Sequence, residues 1–197
     1  MNLPLRSWKA TSINSELIQF RSATLDDVGE LRCLIEASAR GLNGGDYSAA
    51  QIEAALLGTY GVDTQLIQDG TYWVAQHSET LVAAGGWSFR AALCGGDARP
   101  GKASASLDPS VDAARIRAFF VLPSFARQGL ARQLLSRCEA AAAQRGFRRL
   151  TLLATLPGVR LYAACGYRAD APIEQQVENI KMLFVPMHIS LSAAANA

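Results

Sequence analysis

The sequence contains no CxxC pair, no GxGxxG or GxxxxGK[ST] loop, and no apolar run of the ~18 residues a membrane span needs. Its four cysteines, Cys33, Cys94, Cys138 and Cys165, are scattered, and His77 and His188 are the only histidines. A metal site and a disulfide framework are therefore not expected, and reduced, mostly buried thiols are. Charge is also close to balanced: 19 Lys and Arg against 17 Asp and Glu give a net +2. That offers no basis for nucleic acid or an anionic membrane as partner. Met1 to Ser15 holds Arg6 and Lys9 but no apolar stretch of signal-peptide length. The expectation from these absences is a cytoplasmic protein.

What is present is a chain of 197 residues, 50% hydrophobic and 18% charged. A chain of this length buries about 70% of its extended surface, enough for a core without covalent staples. The pattern alternates between α and β without linker or repeat, which predicts one α/β domain over 18–189, after an extension of 1–17 and before a flexible tail of 190–197. Leu17–Ser22 reads as a strand. Thr24 with Asp27 caps a helix from Leu25 to about Ala39, ended by Gly41 and Gly44-Gly45. Ser48 with Gln51 starts a second helix, stopped at Gly58. Thr71–His77 and Leu81–Phe89 read as a hairpin with a bulge at Gly85-Gly86. Residues 91–111 form a long Gly/Ser/Ala/Pro-rich loop. Arg115–Leu122 is a strand, Arg127–Arg145 the most strongly periodic helix, Arg149–Thr155 a strand and Gly158–Cys165 a short helix. Strands follow from Tyr167 and over Ile180–Ile189.

The segment with chemical content runs from Phe119 to Ala131. A strand ends at Pro123, a short loop follows, and a long helix opens at Gly129. The first amides of a helix lack internal partners and lie at the positive end of its dipole, so a phosphate is their natural guest. Gly129 lets backbone approach a ligand, and Arg127 adds a charge that can pair with phosphate.

Ala126-Arg127-Gln128-Gly129-Leu130-Ala131 resembles the acyl-CoA signature of the GNAT N-acetyltransferases: Arg or Gln, two variable residues, Gly, one variable residue, then Gly or Ala. The first position departs from it, with Ala126 in place of Arg or Gln. Some 30 residues on, Leu161-Tyr162-Ala163-Ala164-Cys165-Gly166-Tyr167 resembles the second family signature, a Tyr on a short helix before a Gly-aromatic pair. The resemblance implies a central mixed, mostly antiparallel sheet of about seven strands, with helices on both faces and strands 4 and 5 splayed apart. It implies acetyl-CoA as co-substrate and no metal. The pantetheine arm would lie along Phe119, Phe120 and Val121, and the pyrophosphate on the amides of Arg127, Gln128, Gly129, Leu130 and Ala131. Tyr162 would be the general acid for the departing thiolate, and the reaction acetyl transfer to a primary amine of a small molecule or peptide. Where the family often carries Asn, seven residues before the Tyr, this chain has Thr155, which keeps one hydrogen bond and loses the amide's second. A non-catalytic acyl-CoA-binding module of the same fold is the alternative. Another kind of α/β nucleotide binder lacks its motifs.

The acceptor side is less legible. Leu150 and Leu152 occupy the region where some family members place a Glu base. Asp46, Glu79, His77 and Asp112 are candidate bases, each more readily read as a solvated surface carboxylate or imidazole, and none is assigned. Arg115 and Arg117, two apart on one strand, share a face. On the active-site face they favour an acceptor with a carboxylate or phosphate; on the other they cover a helix or pair with surface acids. Tyr47, Trp73 and Trp87 either line an acceptor cleft or pack in the core. Met182, Phe184 and Val185 are a candidate homodimer edge.

Overall fold

The alternation of Ile18–Ser22 forms strand β1, which begins the part of the chain that the computed structural model describes, residues 18–91 and 105–191. The expected N-terminal extension, most of the 91–111 loop with Cys94, and the tail from 192 lie outside the described residues. After β1, the Thr24 amide donates to Asp27 Oδ2 at 2.7 Å, closing a single 3-10 turn ahead of helix α1 (Val28–Leu42). Arg21 clamps the same carboxylate at 2.7 and 2.8 Å. The helix passes through Gly41, where a Cβ would collide with the Pro123 ring; that glycine serves close packing and is no stop. Ser48 and Gln51 form the expected capping box of α2 (Ala49–Gly58). A short helix, α3 (Thr64–Gln68), starts where the Leu66 amide donates to Asp63 at 3.2 Å. Five residues are too few for a periodic signal, so the sequence reading missed it.

Strands β2 (Tyr72–His77) and β3 (Thr80–Ser88) make the hairpin, and β4 (Ala114–Val121) pairs with β3. Helix α4 (Leu130–Gln144) is followed by β5 (Arg149–Thr155), α5 (Val159–Ala164), β6 (Arg168–Ala169), β7 (Ile173–Val177) and β8 (Ile180–Ser190). Among the described residues the sheet has eight strands in the order β1-β2-β3-β4-β5-β8-β6, with β7 also on β8. All pairings are antiparallel except β4 with β5.

Period-two alternation divides the core between the two faces. Helices α1, α2 and α3 cover one face through Leu31, Leu34, Ile35, Ile52 and Leu66, against Tyr72, Val74 and Phe184. Helix α4 covers the other, with Leu135 and Cys138 against Ile116, Leu150 and Met187, and Leu134 against Val82. Each fully buried leucine there stabilises by about 1.5–3 kcal/mol relative to exposure. Met182, Phe184 and Val185 are 1%, 3% and 6% exposed and belong to this core. Strand β8 has neighbours on both sides, so these side chains supply no dimer edge. Cys138 is buried and Cys165 half-buried, but Cys33 is exposed on α1, contrary to the expected burial.

Candidate active site

Strands β4 and β5 pair only at Ala114–Leu150 and Arg115–Thr151 and then part. Their divergence begins beside a bulge in β4: Phe120 opposes Ala84 and Arg117 opposes Gly86, so Ala118 and Phe119 share Gly85. Ala118 adopts φ +59°, and the Tyr72 hydroxyl donates to its carbonyl at 3.3 Å. The bulge lies on β4 rather than on β3, as the glycine pair had suggested. Gly85 makes room for it, since a Cβ there would sit 2.7–2.9 Å from the Phe119 ring.

The gap is a cleft of about 500 Å³. Phe119, Phe120 and Val121 form its β4 wall. The Val121 amide is not free, because it donates to Ser38 Oγ on α1 at 3.1 Å. Ala126, Arg127, Gly129, Leu130 and Ala131 form one end. There the chain makes a 3-10 turn at Pro123–Phe125, and Arg127 and Gly129 both take positive φ, +63° and +83°. The amides of residues 127 to 131 have no hydrogen-bond acceptor among the described residues. A Cβ on Gly129 would meet nothing within 4 Å. Arg127, Arg132 and Arg160 surround this end with positive charge. The Gln128 side chain lies outside the cleft and donates to the Ser124 carbonyl at 3.1 Å, leaving only its amide in the loop.

Thr155 and Tyr162 form the opposite wall. Tyr162 is 7% exposed and stacks edge-on against Phe119 and Tyr167, with centroids at 6.2 and 5.8 Å. Burial pushes its phenol well above the ordinary range, with the Cys138 and Cys165 thiols adding to the shift, so the hydroxyl keeps its proton at neutral pH.

The far end of the cleft contains residues the sequence did not single out. Tyr60 packs edge-on against Phe120, with centroids 6.1 Å apart, and Phe184 lies beyond. The Tyr60 hydroxyl and Thr59 Oγ1 are buried without a hydrogen-bond partner among the described residues. Arg117 reaches Asp63 at 3.0 Å, with the two side chains 10% and 4% exposed. Of the two β4 arginines, then, Arg117 faces the cleft with its charge matched, while Arg115 lines a separate depression. Asp63 was detectable only as a helix cap, and Ser38 and Tyr60 gave no signal. Asp46, Glu79, His77 and Asp112 do not line the cleft. Neither do the aromatic candidates: Trp87 is core, Trp73 packs against the α4-side core, and Tyr47 bridges the Leu183 carbonyl and the Leu156 amide at 2.6 and 3.0 Å.

Residues 45–167 match the model of the acetyltransferase (GNAT) family. No curated protein sequence matches the chain. Among solved structures, the chain is similar to the GCN5-related N-acetyltransferase from Rhodopseudomonas palustris (20% identity, TM-score 0.64, covering 88% of this chain and 95% of that one). It is also similar to PaiA N-acetyltransferase from Thermoplasma acidophilum in complex with coenzyme A (14%, 0.62, 88% and 98%). A third similar structure is YncA from Salmonella typhimurium with its cofactor acetyl-CoA (14%, 0.56, 91% and 96%). Identities this low carry the fold and no more.

Proposed function

The chain belongs to the GNAT acetyltransferase family, and we propose that it is an N-acetyltransferase taking the acetyl group from acetyl-CoA to a primary amine. The observation that carries this reading is the loop of amides 127 to 131, without an acceptor among the described residues, at one end of the cleft whose opposite wall includes Tyr162. The amides, the helix dipole of α4, and Arg127, Arg132 and Arg160 suit a pyrophosphate. The unpaired edge of β4 beyond Arg115 suits an extended amide-bearing arm, with the Val121 amide excepted because Ser38 occupies it.

The chain's contribution to chemistry is mainly positional. Holding amine and thioester in one narrow gap makes their encounter nearly unimolecular. The amine nitrogen bonds to the acetyl carbon, the carbon–sulfur bond breaks, and the sulfur takes the Tyr162 proton. The amine's surplus proton leaves to solvent, since Asp63, the acid in the cleft wall, is engaged by Arg117, and solvent returns a proton to the Tyr162 phenolate.

Mixing the protein with acetyl-CoA and a panel of small amines and peptides, and following free thiol, tests the reading. Amine-dependent thiol release is expected. Saturable acetyl-CoA binding without release from any amine would establish a binding module instead.

A further inference from the structure

Beside the cleft, on the face that carries α1 to α3, the described residues leave one corner of the sheet without a helix. Register places basic side chains across it. Arg115 pairs with Thr151, Thr151 with His188, and His188 with Arg168, so one face of four neighbouring strands presents this row. Arg149 and its partner Ser190 lie two residues along on the same face. The intervening Leu150 and Met187 are fully buried on the α4 side, which fixes the orientation.

The row borders a depression of about 360 Å³ lined by Asp112, Arg115, Arg149, His188 and Ser190. The acid in its lining, Asp112, is partly occupied. Asp112 lies near Arg115, but its Oδ2 accepts the Asp108 amide at 2.8 Å. Asp170 pairs with His188 at 3.3 Å. Arg149 spends one N–H on the Val111 carbonyl. The Arg115 Nε is buried and has no hydrogen-bond partner among the described residues. Burial also presses the Arg115 guanidinium downward from its ordinary pKa, a sign that its charge is incompletely matched. A buried cationic donor with no acceptor is costly, and an anionic oxygen brought by a ligand would relieve it. Arg117, two residues along β4 and ~7 Å nearer the bulge, has its acceptor already in Asp63.

We propose that Arg115 and Arg149 form an anion subsite for the acceptor, receiving a carboxylate or phosphate carried by the amine whose nitrogen enters the cleft past Arg117. This rests on the N-acetyltransferase reading for its role, while its binding chemistry stands independently.

Two experiments separate the parts. In the first, kcat/KM is compared for matched amine acceptors that differ only in a free carboxylate or phosphate against its neutral ester or amide. The wild-type protein is expected to favour the anionic member roughly tenfold, and Arg115→Gln and Arg149→Gln to bring that ratio near one. A wild-type ratio of one, or a ratio unchanged in folded variants, overturns the proposal. In the second, inorganic phosphate and acetate are titrated separately while the arginine Nε–H resonances are followed. Saturable shifts at Arg115 that disappear in Arg115→Gln support the subsite, and the ion bound more tightly identifies the favoured group. No saturable shift with either ion overturns the proposal whether or not any amine is acetylated. If the shifts occur and no amine releases thiol, the catalytic reading fails and the subsite stands.

Discussion

Replacing Gly85 with Ala tests whether the bulge, the Phe119 ring and the cofactor channel form one mechanical unit. The new methyl would lie 2.7, 2.8 and 2.9 Å from three carbons of that ring. Ordinary carbon–carbon contact is about 3.5–4.0 Å, so the ring must withdraw by roughly 0.7–1 Å. The strand behind Gly85 has little freedom to yield, because α4 covers it and the Cys138 thiol stands 3.8 Å from the Gly85 carbonyl. The ring's open direction is the cleft it lines. Overpacking a closed core costs about 1–3 kcal/mol, and an open wall places this change near the lower end. For a domain of this size, ~1 kcal/mol lowers Tm by roughly 2–4 °C. The displaced ring would narrow the channel and weaken acetyl-CoA by about 1 kcal/mol, or roughly fivefold. Thermal unfolding and calorimetric titration with acetyl-CoA measure both. A lowered Tm with undiminished affinity would show that the ring escapes elsewhere and refute the coupling.

Gly129→Ala forces an L side chain into φ +83° and fills space that is otherwise open. It should cost about 1–2 kcal/mol of stability and weaken acetyl-CoA at least tenfold by titration, and unchanged affinity would remove the pyrophosphate from this loop. Tyr162→Phe should lower turnover ten- to a thousand-fold (rough range) with a smaller effect on acetyl-CoA affinity. Unchanged turnover in the folded variant would exclude Tyr162 as the acid. Asp63→Asn and Arg117→Met should each cost about 3–5 kcal/mol in urea unfolding, because each strands a buried partner, while the double variant should lose less than the sum. Additive losses would mean the two charges are not coupled. Asp69, 6% exposed, is held below the ordinary carboxylate range chiefly by hydrogen bonds from Arg90. Its contribution is therefore present above the ordinary aspartate value and lost as pH falls through the depressed one. The stability gap between wild type and Asp69→Asn should be full at pH 7 and shrink as the pH falls below the ordinary aspartate value of about 3.9; a gap constant with pH would refute the assignment.

The elements that could be read in advance were those whose signal is local. The Ser48–Gln51 box, the β2–β3 hairpin, and the stripe of Leu130, Leu134 and Cys138 each specify their structure within a few residues. The elements missed were short or polar. Helix α3 spans five residues, and β7 reads IEQQV, with pairing to β8 supplying what its own pattern lacks. Gly41 looked like a helix stop because local propensity cannot register Pro123, eighty-two positions away, resting on it. Such tertiary contact overrides propensity wherever backbone approaches a distant ring.

The same division explains why one half of the cleft was legible and the other was not. The end proposed for the cofactor is built from main-chain amides whose exposure follows from a glycine at a helix start, a property of six consecutive residues. The end proposed for the acceptor is built from side chains that meet only after folding. Arg117 finds Asp63 across 54 positions, Ser38 finds Val121 across 83, and Tyr60 meets Phe120 from a different layer. Arg115 and Arg117 were equivalent on the strand, two cations on one face. They differ because Asp63, at the start of α3, forms an ion pair with Arg117, whereas Arg115 has only Asp112 nearby. A site that binds a common carrier through backbone can leave a short motif, whereas a site that selects one acceptor must spend side chains from many elements. The Nε of Arg115, buried and without a partner among the described residues, is the kind of feature in which selectivity would reside, visible only once the neighbouring strands are in register.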